Sequence, residues 1–124
     1  MATVLLVDDE QEVTEILQGF FKDRGLTCWA AKESRGALEC LEGQKPTVVF
    51  LDIQLKGSEL DGFGILAEAK KLGIPSKIVM VTGYPDSESE ARAKELGADG
   101  YLLKPLLATK LLDMVKQFDG QKPS

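Results

Sequence analysis

Short apolar runs that end abruptly on a charged or hydroxyl-bearing residue constrain this chain more than any other feature. Thr3–Val7 stops at Asp8-Asp9, Thr47–Leu51 runs into Asp52, Lys77–Val81 runs into Thr82, and Gly100–Leu103 ends at Lys104-Pro105. Runs that are apolar at successive rather than alternate positions belong to strands covered on both faces. Between them the apolar residues change to helical spacing. Val13, Ile16, Leu17, Phe20 and Phe21 mark a helix ending near Gly25. Ser34 reads as the N-cap of a second helix carrying Ala37, Leu38 and Leu41 and closed by Gly43. After a polar loop from Gln54 to Gly62, Phe63, Leu66, Ala69 and Leu72 mark a third helix, stopped by Gly73. A fourth, Ser87–Leu96, has only Ala91, Ala93 and Leu96 as apolar residues, and a fifth carries Leu111, Leu112, Val115 and Phe118. With a weaker strand at Thr27–Ala31, strands and helices alternate throughout. Parallel strands need crossovers, so the alternation predicts an α/β fold, a five-stranded parallel sheet with helices on both faces.

The 124 residues suit one domain over residues 1–119, with polar residues 120–124 as a flexible tail. A hydrophobic share of 44% is too high for a disordered chain. The net charge of −5 works against binding a phosphate backbone, so no direct contact with nucleic acid is expected. No run approaches the roughly 20 apolar residues of a membrane span. The apolar start, Met1–Val7, is too short for a secretion signal and lacks a basic lead, which predicts a cytoplasmic protein with no membrane contact. Cys28 and Cys40 have neither redox nor metal-site spacing, and there is no histidine. They read as small hydrophobes in a reducing compartment.

In open α/β sheets, ligands bind beyond the carboxyl ends of the strands, where the strand order reverses. Asp8, Asp9, Asp52, Thr82 and Lys104 should therefore meet in one cleft. Acids brought that close raise one another's pKa, and a hard divalent cation removes the conflict. Mg²⁺ suits such a site, since it takes one or two carboxylates and keeps waters. Glu10 and Glu12 read instead as solvated residues at a helix start. Asp52 follows an apolar run where nothing structural requires an acid. A carboxylate so placed can attack a phosphoryl group and form an aspartyl phosphate. That transfer depends mainly on positioning and neutralised charge, to which Lys104 and the Thr82 hydroxyl can contribute. Singly, each of these residues has a plain structural reading; only the set makes a site.

The segments VLLVDDE, VVFLDIQL, LDGFGIL, VMVTGY and GADGYLLKPL occur in that order along essentially the whole chain. With them the sequence resembles the response-regulator receiver domain of two-component signalling. The resemblance implies a flavodoxin-like sheet of order 2-1-3-4-5. It implies that Asp52 is the phosphoacceptor, served by a sensor histidine kinase or phosphotransfer protein. Asp9, Asp52 and the backbone carbonyl of Gln54 would ligate Mg²⁺, with Asp8 acting largely through water and Mn²⁺ able to substitute. Thr82 and Lys104 match the family's switch hydroxyl and lysine, and the Lys104-Pro105 bond its cis peptide. Tyr101 matches the switch aromatic, which turns into space opened as Thr82 moves inward. The face formed by the fourth helix, fifth strand and fifth helix would then change for an unidentified effector or for a phosphorylation-dependent homodimer. Such a domain is a switch that promotes its own phosphorylation and dephosphorylation rather than an enzyme acting on other substrates.

Two departures stand out. The loop Ile53–Leu60 is longer than the family's usual one and carries Lys56 where proline is typical. Tyr84 is a bulky aromatic two residues past Thr82, and with Gln54 it would shield the acyl phosphate and slow its loss. The main alternative is a degenerate receiver that binds partners without phosphorylation. A haloacid-dehalogenase-type phosphatase would want a second acid where Gln54 stands, and a cap domain. Flavin binding would want small polar residues where the first loop has acids.

Overall fold

The computed structural model describes residues 2–84 and 86–120, so Met1 and the tail residues 121–124 lie outside the described residues. The chain alternates β1 (Thr3–Val7), α1 (Gln11–Asp23), β2 (Thr27–Ala31), α2 (Ser34–Gln44), β3 (Val48–Asp52), α3 (Gly62–Lys71), β4 (Lys77–Thr82), α4 (Ser87–Glu95), β5 (Gly100–Leu103) and α5 (Ala108–Asp119). The strands form one parallel sheet in the order β2-β1-β3-β4-β5. The predicted fold class and strand order are those observed. Among the described residues, no helix is long and apolar enough to cross a membrane.

Strand alternation divides the core in two. Leu5, Val7, Val49, Leu51, Ile78 and Met80 face one way, against Ala37 and Leu41 of α2 and Ile65, Leu66 and Ala69 of α3. Val4, Leu6, Val48, Phe50, Val79 and Val81 face the other way, against Leu17 and Phe21 of α1 and Leu111, Val115 and Phe118 of α5. Because β1, β3 and β4 are central, both of their faces are dry, which explains their unbroken apolar runs. α4 contributes least, with Ala93 as its one buried residue.

Three boundaries differ from the sequence reading. Glu33, not Ser34, caps α2: its carboxylate accepts from the amides of Arg35 and Gly36 at 2.9 and 2.7 Å. Ser34 is the first helical residue and is buried. Gly43 lies inside that helix, which ends at Lys45 with φ of 47°. Pro46 follows, and a residue before proline is disfavoured in the right-handed helical region. The β3 strand begins at Val48 and takes Asp52 into the ladder opposite Val81. The loop after it is not wholly polar either, since Leu55 is buried and Leu60 packs on the core.

The chain passes from β1 to β2 on one side of the sheet and returns to β3 on the other. The strand order therefore reverses between β1 and β3, whose carboxyl ends carry Asp8-Asp9 and Asp52.

Candidate functional site

Asp8 and Asp52 are buried and Asp9 is half-buried, and one carboxylate oxygen from each lies within 4.8 Å of the others. Their local supports differ. Asp8 accepts from the Glu10 amide at 2.8 Å, and Asp52 Oδ1 from the Gln54 amide at 3.2 Å. Asp9 Oδ2 accepts from the Lys56 amide at 3.2 Å, a bond that reaches across from the β3–α3 loop.

Lys104 enters from the end of β5. Its Nζ lies 2.8 Å from Asp52 Oδ2 and 3.1 Å from both Asp8 Oδ2 and Glu10 Oε1. Burial alone would lower its pKa, but bonds to Asp52 and Glu10 and the surrounding negative charge hold the ammonium above the ordinary lysine value. Burial pushes Asp52 above the ordinary carboxylate value; the bond to Lys104 pulls it part of the way back, and the Asp8 charge adds to the rise. Three carboxylates thus share one ammonium, with that of Asp9 close by. Asp8 Oδ2, though within ion-pair distance of Lys104, is buried without a hydrogen bond. A crowded all-oxygen donor set with one lone pair unclaimed fits a hard divalent cation.

Thr82, at the end of β4, is buried, and its Oγ1 accepts from the Tyr84 amide at 3.0 Å. The Lys104 amide donates to the Thr82 carbonyl at 2.8 Å, tying the two residues across β4 and β5. The Lys104-Pro105 bond is cis. Tyr84 is 74% exposed, and with Gln54 it lines the outer wall of a cleft of about 400 Å³ that opens onto Asp52, Thr82 and Lys104. Tyr101 stands apart from this cleft. It is half-buried against the core, and burial raises the phenol's pKa; the Asp86 amide pulls it part of the way back, while the nearby charges of Asp86 and Glu90 add to the rise.

Sequence reasoning passed over three features. Glu10, read as a solvated acid, is exposed on its stem yet places its carboxylate on Lys104. Its position next to Asp8-Asp9 was the available signal. The Gly62 amide donates to the Ile53 carbonyl, and a Cβ at Gly62 would meet the Asp52 carbonyl oxygen at 2.3 Å, so only glycine fits beside the Asp52 backbone. The Asp-Gly pair that opens α3 hinted at such a close approach. The Lys56 amide on Asp9 left one faint trace in sequence, a non-proline residue that can donate where proline is typical.

The profile of the response regulator receiver domain matches residues 4–116. The nitrogen assimilation regulatory protein NtrX of Azorhizobium caulinodans is 33% identical over 109 residues, which cover 88% of this chain and 24% of that protein. The chain thus spans about a quarter of the length of the curated relatives it matches. The crystal structure of the receiver domain of NtrX from Brucella abortus superposes with a TM-score of 0.85 at 32% identity, covering 96% of this chain and 99% of that one. A two-component response regulator from Clostridium difficile gives a TM-score of 0.90 at 26% identity over the whole of both chains.

Proposed function

The chain belongs to the response regulator receiver family, a signalling fold, and on that premise we propose that it is a phosphorylation-controlled switch whose acceptor is Asp52. The observation that carries this reading is the half-buried ammonium of Lys104, 2.8 Å from an aspartate that two further acids crowd.

An Asp52 oxygen attacks phosphorus, the new O–P bond forms as the donor's N–P bond breaks, and the electron pair returns to the donor's imidazole. The Gln54 amide fixes the Asp52 carboxylate from one side and Lys104 from the other, so the nucleophile is oriented before the donor arrives. After transfer, Lys104 is placed to hold a phosphoryl oxygen. Thr82 accepts rather than donates in its bond to Tyr84, which leaves its hydroxyl proton for a second phosphoryl oxygen. Asp9, Asp52 and the Gln54 carbonyl would hold Mg²⁺, or Mn²⁺ in its place, with Asp8 working through water. The ion would neutralise the acids and the incoming phosphoryl charge. Tyr84 and Gln54 stand over the cleft and would slow attack by water.

The donor is a sensor histidine kinase or phosphotransfer protein. The output passes through the α4–β5–α5 face, with Tyr101 changing place, to an effector or to a second copy. In relatives four times as long, an effector on the same chain is the natural recipient.

Acetyl phosphate with Mg²⁺ should add one phosphoryl group by mass spectrometry. The addition should be absent from Asp52→Ala, and its loss should be faster in Tyr84→Ala. A wild-type protein that stays unmodified, and that shows no spectral change with beryllofluoride and Mg²⁺, would instead favour a receiver that binds partners without phosphorylation.

A further inference from the structure

The loop between β3 and α3 carries hydrogen bonds that hold it to two distant parts of the chain. At one end, two serines interlock. The Ser34 amide donates to Ser58 Oγ at 2.8 Å, the Ser58 hydroxyl donates to the Leu60 carbonyl at 2.6 Å, and the Leu60 amide donates to Ser34 Oγ at 3.2 Å. Loop and helix α2 are thereby closed into one clasp. Ser34 is buried and the anchoring side chain of Leu60 packs on the core, so the clasp rests on a rigid base.

The clasp fixes a tight turn. The Ser58 amide donates to the Leu55 carbonyl at 3.3 Å, and Gly57, third of the four turn residues, has φ of 72°, the left-handed conformation that glycine adopts at no steric cost. Lys56 is the second residue of that turn, and its amide is the donor that holds Asp9 Oδ2. Asp9 is the least buried acid of the cluster, and among the described residues this is the one hydrogen bond given to its carboxylate. Without it the carboxylate could rotate towards solvent.

We propose that Ser34 and Ser58 are positioning residues for the cation site, fixing the turn whose Lys56 amide aims Asp9 at Asp8 and Asp52. The inference rests on the reading of those three acids as a divalent-cation site. It assigns a task to the lengthened loop that the transfer chemistry does not use. Partners that orient metal ligands typically change metal affinity 10- to 100-fold when removed. A backbone donor on a half-buried carboxylate belongs at the low end of that range.

The test is calorimetric titration of MgCl₂ into the unphosphorylated protein. Ser58→Ala should weaken Mg²⁺ binding by about 10-fold and speed hydrogen exchange at the Lys56 amide, while Ser58→Thr, which keeps the hydroxyl, should stay near wild type on both. Ser34→Ala should follow Ser58→Ala. An unchanged Mg²⁺ affinity in Ser58→Ala would overturn the proposal while leaving the cation site intact. A wild-type protein that does not bind Mg²⁺ would overturn the cation reading and this inference together. Should Ser58→Ala fail to fold, Gly57→Ala strains the same turn with both serines in place and carries the same expectation.

Discussion

Gly62 shows how tightly Asp52 is gripped by its surroundings. Its absent Cβ would overlap the carbonyl oxygen of Asp52 and come within 2.7 Å of Ile53 Cα. Both are backbone atoms, at the end of a central strand and just past it, and cannot readily step aside. Overpacking of this kind typically costs 1–3 kcal/mol. Gly62→Ala should lower the unfolding free energy by about that amount, read as a lower urea midpoint, and should also slow phosphorylation by acetyl phosphate, because relief of the clash displaces Asp52. Stability unchanged to within about 0.5 kcal/mol would show that the strand yields. At this scale much of the site was legible. Asp8, Asp9, Asp52, Thr82 and Lys104 each end an apolar run, and the rule that ligands bind at carboxyl ends brings them together. Glu10 and Gly62 were missed because their roles depend on a side chain or backbone many residues away. The Lys56 amide was nearly silent, since a backbone bond is indifferent to the side chain except that proline has no donor.

Among the elements, α4 is held most lightly. Its first turn is capped by Asp86, which accepts from the Ser89 amide at 2.7 Å, and its tertiary anchorage is Ala93 together with Arg92, whose guanidinium lies 4.4 Å over the Phe63 ring. α1 and α5, by contrast, each bury three residues. Local opening is easiest where buried apolar contacts are fewest. Amide exchange in α4 should therefore be the fastest of the five helices. Asp86→Ala should accelerate it further at a cost of about 1 kcal/mol, while exchange in α1 and α5 stays unchanged. Equal protection in α4 and α5 would contradict this ranking. The thin apolar face of α4 was readable from Ser87–Leu96, and all five helices were placed. The α2 boundaries went astray because Glu33 took the capping role ahead of Ser34, whose hydroxyl is committed to the clasp, and because Pro46 ended the helix that Gly43 did not.

The whole molecule has an alkaline weakness. Burial, with a smaller contribution from the neighbouring Cys40 thiol, pushes the Cys28 thiol from its ordinary 9.0 up to about 12. A folded-state pKa raised in this way contributes stability that is complete below pH 9 and is lost as the pH climbs towards 12, because the unfolded chain releases the proton first. Between pH 8 and 10.5 the wild type should lose more stability than Cys28→Ala, read as the shift in urea midpoint. An identical loss in both proteins would remove Cys28 as a cause. The two cysteines were read from sequence as small hydrophobes, and as free thiols against the two core layers they serve that purpose.

Lys104 directly follows β5, the edge strand beyond β4, whereas the acids it pairs with stand at residues 8, 10 and 52. A nascent chain that has emerged only as far as β4 already holds its carboxylates but not the lysine that pairs with them. The cation arrives only when the last strand is laid down. A copy in which β5 has not yet joined the sheet therefore keeps its crowded carboxylates without the ammonium that Asp8 and Asp52 share.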